Sequence, residues 1–167
     1  MRRLLAESGP ATDFDAWVLP HLPVLRRLAS LYAERADRDD LMQETLSRAW
    51  VRRADFDPER GSASGWLCAI LVDRARKSWR QSGPQLTRDG PAPTAAILDA
   101  GGHPNFDVRE AITRLPRRQR EAIVLHYYVD LSVSDTAKVL RCSPGTVKSQ
   151  LFDARKRLQK ELSNYGD

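Results

Sequence analysis

Cysteine is scarce in this 167-residue chain: Cys68 and Cys142 stand 74 positions apart. Two such residues make no disulfide framework. Each sits in an apolar helical pattern or a tight turn, which predicts reduced, partly buried thiols in the cytoplasm. Histidine is as thin, with His21, His103 and His126 scattered. No pair of His or Cys has ligand spacing, which argues against a structural zinc site. No apolar run approaches the roughly 20 residues that span a bilayer, so no membrane insertion is expected. The start, Met1 to Glu7, has two arginines but no apolar core, and predicts no signal peptide. Period-two runs of branched residues are missing too, which argues against strands. No Gly-rich phosphate loop, HExxH pattern or Ser/Cys–His pairing is present. The expectation is a protein with no catalytic group, no cofactor, no metal and no small-molecule substrate.

Glycine and proline are unevenly spread. Of 9 Gly and 10 Pro, eight fall between positions 81 and 105. That stretch has three large apolar residues, Leu86, Ile97 and Leu98. It cannot bury enough surface to offset its chain entropy. It therefore predicts a flexible linker 81–105, with one short turn around Ala95–Leu98, between two small helical domains, 1–80 and 106–167. The fold class is all-α.

What is present is helix and charge. The chain is 41% hydrophobic and carries 27 Lys and Arg against 22 Asp and Glu. Its net charge is +5 and its pI about 9.6. A basic pI suggests an anionic partner, nucleic acid first. Leu22, Leu25, Leu28, Ala29 and Tyr32 recur at helical spacing behind Pro20 and Pro23. Asp37 or Asp39 can cap a second helix, with Leu41, Thr45, Leu46, Ala49 and Trp50 inward to about Ala54. Ser62 or Ser64 caps a third to about Arg80, burying Trp66, Leu67, Ile70 and Leu71. In the second half Asp107 caps a helix to Leu115 and Pro116 opens another. Ser132 and Asp135 have the spacing of a capping box. Ser143 and Pro144 then start the last helix, after a tight turn at Arg141-Cys142.

Residues 131–158 read as a helix-turn-helix, with a short helix Val133–Leu140, a turn, and an amphipathic second helix. Val147, Leu151, Ala154 and Leu158 form its buried stripe. Lys148, Ser149, Phe152, Arg155 and Lys156 face away. Such a helix fits the major groove, with its first turns at base edges and its later cations on phosphates. The bland alternative is a basic, solvated C-terminal helix. The third helix carries Asp73, Arg76, Lys77 and Arg80 on one face, with Arg74 and Trp79 beside them. Cations interleaved with an aromatic suit melted DNA, although a charge run on a helix is usually a solvated face. Asp37, Asp39, Asp40 and Glu44 open the second helix. They either favour its dipole or mark a protein-docking face.

These blocks together resemble one family, the extracytoplasmic-function (group IV) sigma factors of bacterial RNA polymerase, within the sigma-70 family. The run Asp39 to Trp50, reading DDLMQETLSRAW, resembles its polymerase-docking helix. Phe56 to Ser62 (FDPERGS), followed by Gly65-Trp66-Leu67, resembles its promoter-melting loop and the start of its −10 helix. Leu115 to Glu121 (LPRRQRE), and Ser143 to Ser149 (SPGTVKS) ending in Ala154 to Leu158 (ARKRL), are similar to its −35-binding domain. The resemblance implies a sigma factor that recruits core polymerase to promoters and catalyses nothing itself. It implies that Asp40, Leu41, Gln43, Glu44 and Leu46 bind the clamp coiled coil of the largest polymerase subunit, with the flap region a second contact. It implies a −10 site of Phe56, Ser62, Trp66, Asp73, Arg76, Lys77 and Arg80. It implies a −35 site of Ser143, Thr146, Lys148, Ser149, Phe152, Asp153, Arg155 and Lys156. An anti-sigma protein is a further possible partner. Three residues depart from the pattern. Leu46 stands where Phe is common, Asp153 where Arg is common, and Arg141 where Gly is frequent, so that a left-handed turn at 141 would carry strain. The rival readings are an autonomous helix-turn-helix regulator and a metal-dependent nucleotide hydrolase built on the acids near Asp39.

Overall fold

The computed structural model describes residues 13–33, 36–81 and 106–163. Among them every regular element is helical. The first half holds α1 (Phe14–Val18), α2 (Leu22–Tyr32), α3 (Arg38–Val51) and α4 (Ala63–Gln81). The second holds α5 (Phe106–Arg114), α6 (Arg117–Ile123), α7 (Val133–Leu140) and α8 (Pro144–Ser163). The expected turn at Ala95–Leu98 lies outside the described residues.

Local chemistry sets most boundaries. Asp13 caps α1 by accepting from the Ala16 N–H at 3.1 Å. Proline opens the segment before α2, whose buried face is Leu25, Leu28, Ala29, Leu31 and Tyr32. In α3, Asp39 and Asp40 stand in the first turn, where carboxylates favour the helix dipole. Asp37 precedes the helix without a side-chain cap bond. The helix stops at Val51, three residues short of the expected Ala54. Ser62, not Ser64, caps α4: its hydroxyl accepts from the Gly65 N–H at 2.9 Å. α5 starts at Phe106, so Asp107 lies within its first turn. α6 widens into a π-helical turn over Val124–Tyr128, closed by Val129 N–H donating to the Val124 carbonyl at 3.0 Å. Ser132 caps α7, accepting from the Asp135 N–H at 3.0 Å.

α4 is the central element. It packs on α2 and α3 on one side and on α7 of the second half on another. α8 lies across α5, α6 and α7. The apolar residues form one continuous core, from Leu25, Leu67 and Leu71 in the first half to Leu125, Val139 and Val147 in the second. The two halves, separated in sequence by residues 82–105, are thus docked on each other.

Candidate nucleic-acid interface

α8 supplies the first candidate face. Ser143 accepts from the Thr146 N–H at 3.0 Å, and the two hydroxyls lie 2.9 Å apart. Both side chains are engaged in starting the helix. Val147, Leu151 and Ala154 are buried and Leu158 half-buried, as the spacing predicts. Lys148, Ser149, Phe152, Arg155 and Lys156 are exposed, with Asp153 half-buried beside them. Phe152 is 61% exposed between cations. An apolar ring there suits contact with a thymine methyl. Arg155 reaches back to the Tyr127 hydroxyl at 3.4 Å. Before α8, Arg141 adopts the left-handed conformation, φ 55° and ψ 49°. The strain expected for a non-glycine residue there is present, about 1–2 kcal/mol.

α4 and the loop before it supply the second face. Phe56 and Trp66 pack with centroids 5.6 Å apart, and Trp17 meets them at 5.2 and 6.0 Å. Trp66, expected as core, is only half-buried. Its ring forms a wall of a cavity of about 360 Å³ lined also by Phe56, Arg60, Gly61, Ser62 and Gly65. Sequence patterns missed Trp17 and His21, which brace this loop from a distant helix. The His21 Nδ1 sits 2.9 Å from the Ser64 hydroxyl, and burial holds its pKa below the usual imidazole value. Further along α4, Asp73, Arg76, Lys77 and Arg80 line a second cavity of about 230 Å³. Arg48, Arg52 and Arg74 join them. Arg48 and Arg52 were also missed, because they come from α3 and its C-terminal end. A concave surface with this excess of cations concentrates positive potential. On the buried side of α4, burial reinforced by the Asp135 charge and opposed by Arg27 pushes the Cys68 thiol up to about 12.

α3 offers a third face. Asp40, Gln43 and Glu44 are exposed and Leu46 is half-buried. Leu41 is 7% exposed and braces the helix from beneath. Glu44 pairs with Arg74 of α4. Trp50, expected inward, is 49% exposed. Its ring is held edge-on to Phe14 at 5.4 Å and carries the Arg53 guanidinium 3.9 Å above it. Cation and aromatic contacts give it a partner at the surface that the core does not.

The second half covers part of the first. Ser62 donates its N–H to Asp135 Oδ1 at 3.3 Å and its hydroxyl to Oδ2 at 2.7 Å. Lys138 of α7 lines the cavity beside Phe56. Arg141 pairs with Asp73. Arg76 lies 3.4 Å from Glu121, a fully buried carboxylate that Arg117 and Arg118 approach at 3.4 and 3.7 Å. Among the described residues no group of three His, Cys, Asp or Glu is placed to hold a metal ion, and no helix is long and apolar enough to cross a membrane.

Comparison with known proteins adds an independent line. Residues 9–84 match the family described as sigma-70 region 2, and residues 105–158 match sigma-70, region 4. The chain is 34% identical over 146 residues to the ECF RNA polymerase sigma factor EcfG of Rhodopseudomonas palustris, covering 84% of this chain and 80% of that one. It is 31% identical over 166 residues to the ECF RNA polymerase sigma factor SigM of Mycobacterium tuberculosis, covering 93% and 80%. Among solved structures, it resembles the sigma factor RpoE in complex with the anti-sigma factor NepR from Bartonella quintana. The TM-score is 0.65, the identity 30%, and the coverage 90% of this chain and 97% of that one. It also resembles CnrH in complex with the cytosolic domain of CnrY, with TM-score 0.68, 28% identity and 97% coverage of both chains.

Proposed function

The chain belongs to the extracytoplasmic-function branch of the sigma-70 family, and from that premise we propose how its three faces divide the work of promoter-specific transcription initiation. The exposed side of α3 (Asp40, Gln43 and Glu44, with Leu46 at its edge and Leu41 beneath) docks on core polymerase at the clamp coiled coil, while the second half meets the flap region. The acids there suit a basic partner, and they keep that face from competing for DNA.

The cavity beside Phe56 and Trp66 takes an unstacked base of the melted −10 strand. Aromatic walls give such a base a planar partner worth about 1–3 kcal/mol. Arg76, Lys77 and Arg80 hold the backbone next to it, and Asp73 stands where the neighbouring base edge comes into reach. α8 enters the major groove of the duplex −35 element. Lys148, Ser149 and Phe152 lie toward base edges, while Arg155 and Lys156 lie on phosphates. Ser143 and Thr146 present the helix N-terminus to the backbone. Asp153 accepts from a cytosine amine.

The supporting domain reading is region 2 over 1–80, a linker over 81–105 and region 4 over 106–167. The protein works in the cytoplasm as a binding factor and supplies no catalytic group. The observation that carries the reading is the pairing, on one chain, of an aromatic cavity beside a cationic cleft with a separate exposed recognition helix. That the RpoE structure holds the anti-sigma factor NepR supports regulation of this chain by such a protein. Reconstituted transcription tests the reading: core polymerase should initiate from a cognate promoter only when this protein is added. Binding to core no tighter than that of an unrelated helical protein overturns it.

A further inference from the structure

Among the described residues, the second half brings three large apolar side chains to its surface: Tyr127, Tyr128 and Phe152. Phe152 belongs to the exposed face of α8. The two tyrosines come from the π-helical turn that follows α6, and the −35 reading gives them no task. Such turns are rare and recur at functional sites.

This turn is built to hold Tyr127 still. Val129 N–H donates to the Val124 carbonyl and Leu131 N–H to the Leu125 carbonyl, each at 3.0 Å. Asp130 lies between them at φ 64°. A residue other than glycine stays in that region where the surrounding structure imposes it. His126 Nδ1–H donates to the Leu131 carbonyl at 2.7 Å, which fixes the imidazole against the end of the loop. Its ring meets that of Tyr127 edge-on, with centroids 4.8 Å apart and planes at 71°.

The Tyr127 hydroxyl then reaches α8. It accepts from Arg155 Nη1 at 3.4 Å, across 28 positions of sequence. Both residues are exposed, Tyr127 at 55%. Among the described residues no carboxylate pairs with Arg155. The chemistry of the partner matters. An exposed arginine loses rotamer freedom when it binds, and a hydroxyl that already holds one N–H removes part of that cost beforehand. A carboxylate would hold the guanidinium more firmly, but it would also cancel the charge that a phosphate needs. With a neutral acceptor the charge is intact and the other N–H groups of the fork stay available.

We propose that Tyr127 is a positioning residue for DNA binding by α8: it pre-orders Arg155 for a phosphate of the −35 duplex. The site thereby extends beyond the helix-turn-helix, to a side chain that the π-helical turn carries outward. The inference rests on the α8 assignment made above and deepens it.

Binding of the full-length protein to a mixed-sequence duplex of about 20 base pairs tests this, since phosphate contacts do not depend on sequence. Fluorescence anisotropy over a salt series gives the affinity and its slope. Arg155→Ala should weaken binding and reduce the slope of log K against log salt by about 0.9, the value of one phosphate contact. Tyr127→Phe keeps the ring on His126 and removes only the hydroxyl. It should weaken binding about threefold, as for an arginine that is otherwise ready a third of the time, with the urea midpoint unchanged. In an Arg155→Ala background the same change should have no effect. In the free protein, ¹⁵N relaxation of the Arg155 Nε–H should show a lower order parameter in Tyr127→Phe than in the parent. Parent-like binding by Tyr127→Phe overturns the proposal. So does an equal loss in both backgrounds, which would mark a direct DNA contact by the hydroxyl, and so does an unchanged order parameter. Failure of the α8 assignment reads differently: Arg155→Ala itself then leaves affinity and slope unaltered, and the proposal falls with it.

Discussion

The two helices proposed to face DNA stand in opposite states. α8 buries Val147, Leu151 and Ala154 and leaves Lys148, Ser149 and Phe152 free in solvent. α4 buries Leu67, Leu71 and Val72, yet Arg76 and Asp73 on its charged side are engaged by Glu121 and Arg141, and its cap Ser62 by Asp135. Both helices are amphipathic and basic along one side, so sequence pattern does not distinguish them. The difference lies in what each must read. Duplex DNA presents its edges in a groove that an exposed helix can enter directly. A melted strand needs unstacked bases, and a permanently open cationic and aromatic cleft would also accept single strands at the wrong place.

Removing Glu121 should break the comparison most severely. Glu121→Ala leaves Arg76 and Arg117 around a buried site with no counter-charge. Breaking a buried pair in this way costs about 3–5 kcal/mol, read as a lower urea midpoint. In an Arg76→Ala/Glu121→Ala cycle the coupling should exceed about 0.5 kcal/mol. Zero coupling would mean that the halves do not dock in solution. On the open side, Lys148→Ala should weaken binding of a −35 duplex by roughly 1–3 kcal/mol and leave that cycle unchanged. An unchanged −35 preference removes Lys148 from base reading.

Arg141 joins the two regions and sharpens the contrast at smaller scale. Arg141→Gly relieves the left-handed strain, about 1 kcal/mol, and gives up an exposed ion pair worth less than that. Thermal unfolding should therefore shift upward by a few degrees. Arg141→Ala loses the same pair, keeps the strain and should not rise. The smallest effect is at His21, behind the aromatic cavity. Burial disfavours its charged form, so its folded pKa lies below the unfolded value of about 6.5. The unfolded chain takes up that proton first. The stability associated with neutral His21 is present above about pH 6.5 and is lost as the pH falls below it. His21→Gln should flatten that slope in a pH series of unfolding midpoints.

Much of the fold was legible because its rules are local. Pro144 after Ser143 and the Val147–Leu151–Ala154 stripe each follow from a few neighbouring residues and stand as expected, while the Ser132–Asp135 capping box is half met: Ser132 caps the Asp135 N–H, but the Asp135 carboxylate turns to Ser62. Strain at Arg141 was legible for the same reason. Leu41 was legible as an inward residue, and the resemblance then added it to a docking face that it supports from below. Trp50 was not legible: Phe14 and Arg53 hold it at the surface, and a helical period cannot see them. The cavity was half legible. Phe56, Ser62 and Trp66 came from a short motif, but Trp17 joins them across about forty positions. Least legible was the contact between the halves. Nothing within a few residues of Ser62 points to Asp135, 73 positions away.

Asp135 also bears on how the two halves are joined. It stands at the third position of α7, where a carboxylate can turn back to the N–H of its own cap residue, Ser132. With the halves docked, it accepts from Ser62 instead, while Ser132 keeps the α7 cap with its hydroxyl. Its Oδ2 also accepts from the Ser132 hydroxyl at 3.0 Å, so one carboxylate ties the start of α7 to the start of α4.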